Sequence, residues 1–195
     1  MSTVMLRCER TGREESLAAG LAVALSDVDV MATAPGGYAA VPATDRDTEF
    51  VNGLAEREGI AFIACPADRA PDTYRLAEVS RRLAAVRLGV IRRSLDLAVE
   101  HLSGRESGGE PLVRKQMITA TIADVMAEVE MLRAYATSQS DPAALAELHT
   151  RLDEVGWEVT TLFGAAGYIA DHPARALYVS AIVASVWIDR EGVTP

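Results

Sequence analysis

The chain has 195 residues and a mass of 20.8 kDa, enough for one good core, because a chain of this size buries roughly 70% of its unfolded surface. Its 19 basic and 28 acidic side chains leave a formal charge of −9 and an isoelectric point near 4.9, which argues against a nucleic-acid partner bound by phosphate neutralisation. With 49% hydrophobic residues disorder by composition is excluded, and the 5% aromatic content predicts an aliphatic core.

A mean hydropathy of +0.11 is slightly apolar for so small a chain and points to surface buried against another subunit. Cys8 and Cys65 make no disulfide framework. His101, His149 and His172 stand far apart without metal-ligand spacing, so no metal is expected. Residues 1–13 are polar and carry both charge signs, unlike a signal peptide, and no apolar run approaches the ~20 residues that span a bilayer. A soluble cytoplasmic protein without membrane contact is the expectation. Lys115 is the one lysine among the basic residues, and alanine is abundant; both fit a high-GC bacterial source.

In chain order, residues 17–25 read as a short helix. Residues 27–32 and 60–65 are short Val/Ile-containing runs that read as strands, with Pro35-Gly36-Gly37 as a turn between them. Residues 1–70 are therefore expected to form a small strand-containing cap. From residue 71 onward the period becomes helical. Leu76, Val79, Leu83, Val86, Val90 and Leu97 recur at three- and four-residue steps, interrupted at Ser94, which places one apolar stripe on a first long helix. Ser103-Gly104 and Ser107-Gly108-Gly109 end it, and Pro111 marks the restart.

A second stripe runs through Ile118, Ile122, Val125, Val129 and Leu132 and fades over residues 137–140. Asp141 is placed to cap a third helix, with Pro142 at its first position. That helix carries Leu145, Leu148, Leu152, Val155, Val159 and Leu162, and Gly164 and Gly167 break it. His172-Pro173 opens a fourth, with Leu177, Ala181, Ala184 and Ile188. Four apolar-faced helices on short connections predict a mainly α fold, an antiparallel four-helix bundle over residues 71–195. Trp157 and Trp187 read as core or interface anchors. Arg81, Arg82, Arg87, Arg92 and Arg93 make the first helix locally basic; pairing within the helix to Glu78 and Asp96 is the plain reading, and an anionic partner is the other.

The chemistry-bearing residues lie in the two loops. Arg105-Glu106-Ser107-Gly108-Gly109-Glu110-Pro111-Leu112 joins helices one and two, and Gly164-Ala165-Ala166-Gly167-Tyr168 precedes His172-Pro173. Together they resemble the C-terminal helical domain of the acyl-CoA dehydrogenase family, whose Arg-x-x-Phe-Gly-x-Pro-Leu loop is followed by a Gln and later by a Gln-x-x-Gly-Gly-x-Gly segment. Arg105, Gly109, Pro111, Leu112 and Gln116 match the first motif, with Gly89 sixteen residues upstream of the Arg as in the family. Asp124 matches an Ala-Asp pair, and Gly164, Gly167, Tyr168, Pro173 and Leu177-Tyr178 match the second segment.

The resemblance implies that FAD is bound across a subunit interface. It places Arg105 on the pyrophosphate, where a guanidinium fork suits phosphate oxygens, Gln116 beside it, and Gly164 and Gly167 against the dinucleotide. It also implies departures. Gly108 stands for the family's Phe, Thr161 for its Gln and Ala165 for its second Gly. Val179-Ser180-Ala181-Ile182 replaces Arg-Asp-Ala-Lys, and Ile188 occupies the place of the catalytic Glu and cannot accept a proton. Asp189, one residue on, and Glu78, one residue before Val79, where some members carry their base, are the substitutes in reach; an ordinary surface acid is the plain reading of each.

The family is about twice as long, with an N-terminal helical domain and a ring-binding β-domain. Ile60-Ala61-Phe62-Ile63-Ala64-Cys65-Pro66-Ala67-Asp68 resembles a strand of that β-domain, so the cap reads as a reduced remnant of it. Two functions follow as expectations. One is a shortened subunit that shares a FAD and acyl-CoA site, or one for a related acyl thioester, with a longer partner and lacks its own Glu; the assembly would be a homo- or hetero-oligomer. The other is a flavin-free dimerisation or regulatory bundle.

Overall fold

The polar composition of residues 1–13 conceals a helix. In the computed structural model, which describes residues 2–43, 52–66 and 72–188, α1 (Thr3–Glu14) starts where the Ser2 hydroxyl accepts from the Met5 N–H at 3.3 Å. It buries Met5, Cys8 and Gly12 on one face. The period is regular, but Glu9 and Thr11 lie on the buried side with them, and this masks the apolar stripe. The expected short helix is α2 (Leu17–Ala24), capped by Ser16.

The strand read over residues 27–32 is not there. Asp29 accepts from the Ala32 N–H at 3.2 Å and opens one helical turn, α3 (Val30–Thr33); a side-chain cap outweighs β-branching over so short a run. The strand follows the Pro-Gly-Gly turn as β1 (Tyr38–Pro42). After α4 (Gly53–Arg57), β2 (Ile60–Ala64) pairs antiparallel with β1, Ala40 opposite Phe62. Cys65 and Pro66 follow it, while Ala67 and Asp68 lie outside the described residues.

Helix α5 (Thr73–Ser103) is 31 residues long, capped by the Asp72 carboxylate on the Tyr74 and Arg75 N–H groups. Residues 82–91 are buried without a break, so its middle is surrounded rather than one-sided. The gap at Ser94 is itself buried. Around α5 stand α6 (Gln116–Ser138), α7 (Pro142–Leu162) and α8 (Arg175–Trp187), the predicted four-helix bundle. Asp141 caps α7 on the Ala144 N–H at 2.9 Å, with Pro142 at the first position. α6 is the outermost, burying only Val125, Val129, Leu132 and Ala136.

α1 crosses α5 at backbone contact. A Cβ on Gly89 would stand 2.1 Å from the Glu9 carbonyl oxygen, so any larger residue would push the helices apart. Trp187 is fully buried and its Nε1–H donates to the Ala40 carbonyl at 2.8 Å, tying α8 to β1. Trp157, in contrast, is 62% exposed and is no core anchor.

The arginines of α5 turn out to be inter-element ties. Arg82 binds Asp27 and the Ala24 carbonyl as well as Glu78, Arg87 binds Asp153 and His149, and Arg92 binds Glu9 and Glu130. Arg81 donates to the Gln139 carbonyl and Arg93 to that of Glu15. Among the described residues, intrahelical pairing on α5 is to Glu78, and Asp96 is held by Arg13 of α1 at 2.8 Å. No helix among the described residues is long and apolar enough to cross a membrane.

Candidate functional site

At the far end of α5 the chain must reverse into α6, and the sequence supplies a hairpin for it. Strands β3 (Glu106–Ser107) and β4 (Glu110–Pro111) pair across Gly108 and Gly109, whose φ values are +64° and +77°. Both central residues of this tight turn are left-handed, a conformation glycine adopts without steric cost. The Arg105 carbonyl accepts from the Leu112 N–H at 2.8 Å and closes the loop. Arg105 is exposed, its Nη1 lies 3.2 Å from His101 Nε2, and it has no ion pair among the described residues. Gln116 stands exposed at the first position of α6. The two predicted polar residues thus flank one closed loop, and both are open to solvent.

The second loop arrives at the same end of the bundle. α7 stops at the buried Phe163; Gly164, with φ +58°, begins a tight 3₁₀ turn through Tyr168. Gly167 is demanded by space, since a Cβ there would lie 2.7 Å from the Thr160 carbonyl oxygen. Phe163 joins the two loops. Its ring centroid is 5.7 Å from that of His101 and 4.5 Å from that of His172, so a ladder runs Arg105, His101, Phe163, His172. His172 Nδ1 accepts from the Ala174 N–H at 3.1 Å, which requires that nitrogen to carry no proton. Burial, and then the nearby charge of His101, hold His172 below its ordinary pKa. His101 and Phe163 escape a reading of loop motifs because each stands alone in the sequence, and His172 enters it only as the residue before Pro173. The only available signal is that each lies within a few residues of a helix end.

Of the two proposed bases, the one among the described residues is elsewhere. Glu78 lies about 38 Å up α5 from Ser103 at 1.5 Å per residue, bound by Arg75 and Arg82. Ile188 ends α8, its N–H donating to the Ala184 carbonyl at 2.9 Å, and its side chain is 7% exposed in the core. Val79 is equally buried. Asp189 lies outside the described residues. Cys8 is fully buried, and burial pushes its thiol up to about 11, away from the thiolate a nucleophile needs. Among the described residues no group of His, Cys, Asp or Glu could hold a metal ion.

A groove of about 760 Å³ continues from the glycine turn between α7 and α8, walled by Trp157, Tyr168, Ile169 and Tyr178. All four are more than half exposed, and Trp157 meets Tyr168 edge-on at 5.6 Å. Gly167, Tyr168, Leu177 and Tyr178 of the second loop motif line the groove, while Trp157 on α7 stands outside any motif.

A helical bundle whose exposed Arg and left-handed glycines share one end suits the phosphate half of a dinucleotide. The β1–β2 pair buries Ala39, Ala40, Ile60 and Phe62 in the core. Residues 74–188 match the family model of the acyl-CoA dehydrogenase C-terminal domain. The match spans more than half of the chain, and the protein belongs to that family.

Solved structures share the fold at low identity. Butyryl-CoA dehydrogenase from Megasphaera elsdenii is 19% identical with a TM-score of 0.56, over 81% of this chain and 47% of that one. A glutaryl-CoA dehydrogenase from Mycobacterium smegmatis, in complex with FADH2, is 17% identical with a TM-score of 0.53, over 81% and 46%. The Tcur3481–Tcur3483 steroid ACAD is 22% identical with a TM-score of 0.54, over 83% and 47%. The chain thus spans about half the length of these relatives. Among curated proteins none matches the sequence.

Proposed function

We propose that the protein is a shortened acyl-CoA dehydrogenase-like subunit that contributes the dinucleotide-binding end of a shared site to a longer partner. The observation that carries this reading is the convergence of the Arg105 hairpin and the Gly164–Tyr168 turn on one bundle end through the His101–Phe163–His172 ladder. Arg105 would hold the pyrophosphate of FAD, Gln116 would hydrogen-bond beside it, and Gly164 and Gly167 would let the backbone approach. FAD, when bound, supplies the electron acceptor for oxidation of the CH–CH bond of an acyl thioester. This chain's own part is to bind and orient. With Ile188 at the family's Glu position, proton abstraction falls to the partner. In this reading residues 1–70 are a reduced cap and β-domain remnant set against the bundle of residues 71–195.

Co-expression with a full-length homologue is then expected to give a complex that absorbs in the visible flavin band. Arg105→Ala should leave the complex assembled and weaken flavin retention about 10-fold or more, the value of a charge-assisted hydrogen bond. Unchanged flavin content in that variant overturns the assignment. The exposed apolar groove between α7 and α8 favours a second reading, a flavin-free dimerisation or regulatory bundle. A colourless oligomer whose size ignores added FAD supports it.

A further inference from the structure

The exposed side of α1, outside the family match, carries Arg7, Arg10 and Arg13 at three-residue steps. With Arg92 of α5 and Arg133 of α6 they line a cleft of about 480 Å³. Its floor is fixed. The buried Glu9 accepts from Arg133 Nε at 3.0 Å and Arg92 Nη1 at 3.4 Å. Glu130, 54% exposed, pairs with the same two arginines at 2.8 and 3.2 Å. Arg13 is held by Asp96. Arg7 and Arg10 are exposed and make no ion pair among the described residues, and Glu14, the other acid of the lining, pairs with neither. A chain of charge −9 thus gathers five guanidinium groups around one opening, against Glu9 and Glu14 in its wall.

We infer that this cleft binds a ligand with adjoining phosphoryl groups, a pyrophosphate or a nucleoside diphosphate. Guanidinium forks match phosphate oxygens bidentately. Glu9 is buried and keeps Arg92 and Arg133 in place, while the solvent-facing Glu130 is the carboxylate that an incoming phosphate displaces. Arg7 and Arg10, with no ion pair to break, take the second phosphoryl group. The exposed Leu6 and Thr3 on the same wall offer an apolar and a hydroxyl contact to a nucleoside, and the cleft has the size of small-ligand sites.

Isothermal titration of the whole chain with pyrophosphate, ADP and sulfate tests this, with amide NMR shifts locating the site. Saturable binding of pyrophosphate is expected, with shifts on α1 and around Arg92 and Arg133. The double variant Arg7→Gln/Arg10→Gln should weaken it at least 10-fold without loss of helical signal, and Glu130→Gln should strengthen it several-fold by removing the competing carboxylate. Equal affinity for pyrophosphate and ADP assigns the cleft to the phosphates alone. Tighter binding of ADP, with the surplus lost in Leu6→Ser, assigns it to a nucleotide. No saturable binding, binding unaltered in the double variant, or sulfate bound as tightly as pyrophosphate overturns the inference. The flavin reading is untouched by any of these outcomes.

Discussion

His172 shows how one proton can be read by two loops. Its Nδ1 accepts from the Ala174 N–H, and its ring lies against Phe163, which in turn meets His101. The folded-state pKa is depressed, first by burial and then by His101, whereas the unfolded residue keeps an ordinary value of about 6.5. Between the two values the unfolded chain binds more protons, so stability rises with pH. The contribution is fully present above the unfolded pKa and is lost as pH drops through the folded one. The thermal midpoint is therefore expected to decline from about pH 7 to about pH 5, a range where histidine is the side chain that titrates. His172→Asn retains an acceptor for the Ala174 N–H but cannot titrate, and should flatten that decline; a slope unchanged in the variant removes His172 as its cause. At this scale the sequence offers Arg105 and Gln116 as candidates because a loop motif stays together in the chain. The ladder behind them is invisible because side-chain stacking is a property of the folded end.

Between elements, the least legible feature is the junction of α5 and α7. Arg87 is 1% exposed and bonds Asp153 and His149, and His149 Nε2 lies 3.1 Å from the Ser80 carbonyl oxygen. The helical period predicts the helices correctly because their apolar stripes recur every three or four residues. The same counting sends arginines to the surface, since nothing in a single stripe shows that the middle of α5 is enclosed on every side. α3 fails for the opposite reason, a local Asp29 cap overriding a strand-like composition. The junction makes an asymmetric prediction. Asp153 is 28% exposed and also lines the groove, so in Arg87→Met the abandoned carboxylate can turn to water. In Asp153→Leu the guanidinium of Arg87, 1% exposed, loses its carboxylate while it stays buried, which should cost about 3 kcal/mol or more. Urea unfolding of the two single variants and the double variant should give a double loss well below the sum of the singles. Additive losses would show that the pair contributes nothing as a pair.

For the whole molecule the question is whether the cap is an appendage or part of the core. The buried apolar residues form one continuous cluster that runs from Met5 and Leu17 through Phe62 and Val86 to Trp187. The ties that cross from residues 2–66 to the bundle include Glu9 and Gly89 at backbone contact, Asp27 on Arg82, Arg13 on Asp96, Ala40 on Trp187, and Glu58 on Arg175 at 2.6 Å. Without the cap, Trp187 would lose the Ala40 carbonyl, Arg82 would keep Glu78 but lose Asp27 and the Ala24 carbonyl, and the α5 face that meets α1 would be bare. Leaving a buried donor unsatisfied costs about 1–3 kcal/mol, a large share of a typical domain's net stability of about 5–15 kcal/mol. The full chain is accordingly expected to unfold in one transition, with the same midpoint in the near-ultraviolet signal of Trp187 and in the helical far-ultraviolet signal. A chain beginning at residue 72 should keep helical content while binding hydrophobic dyes and losing that cooperativity, as compact states without fixed packing do. A soluble, cooperatively unfolding 72–195 fragment would instead show that the bundle stands alone and that the cap is added to a finished core.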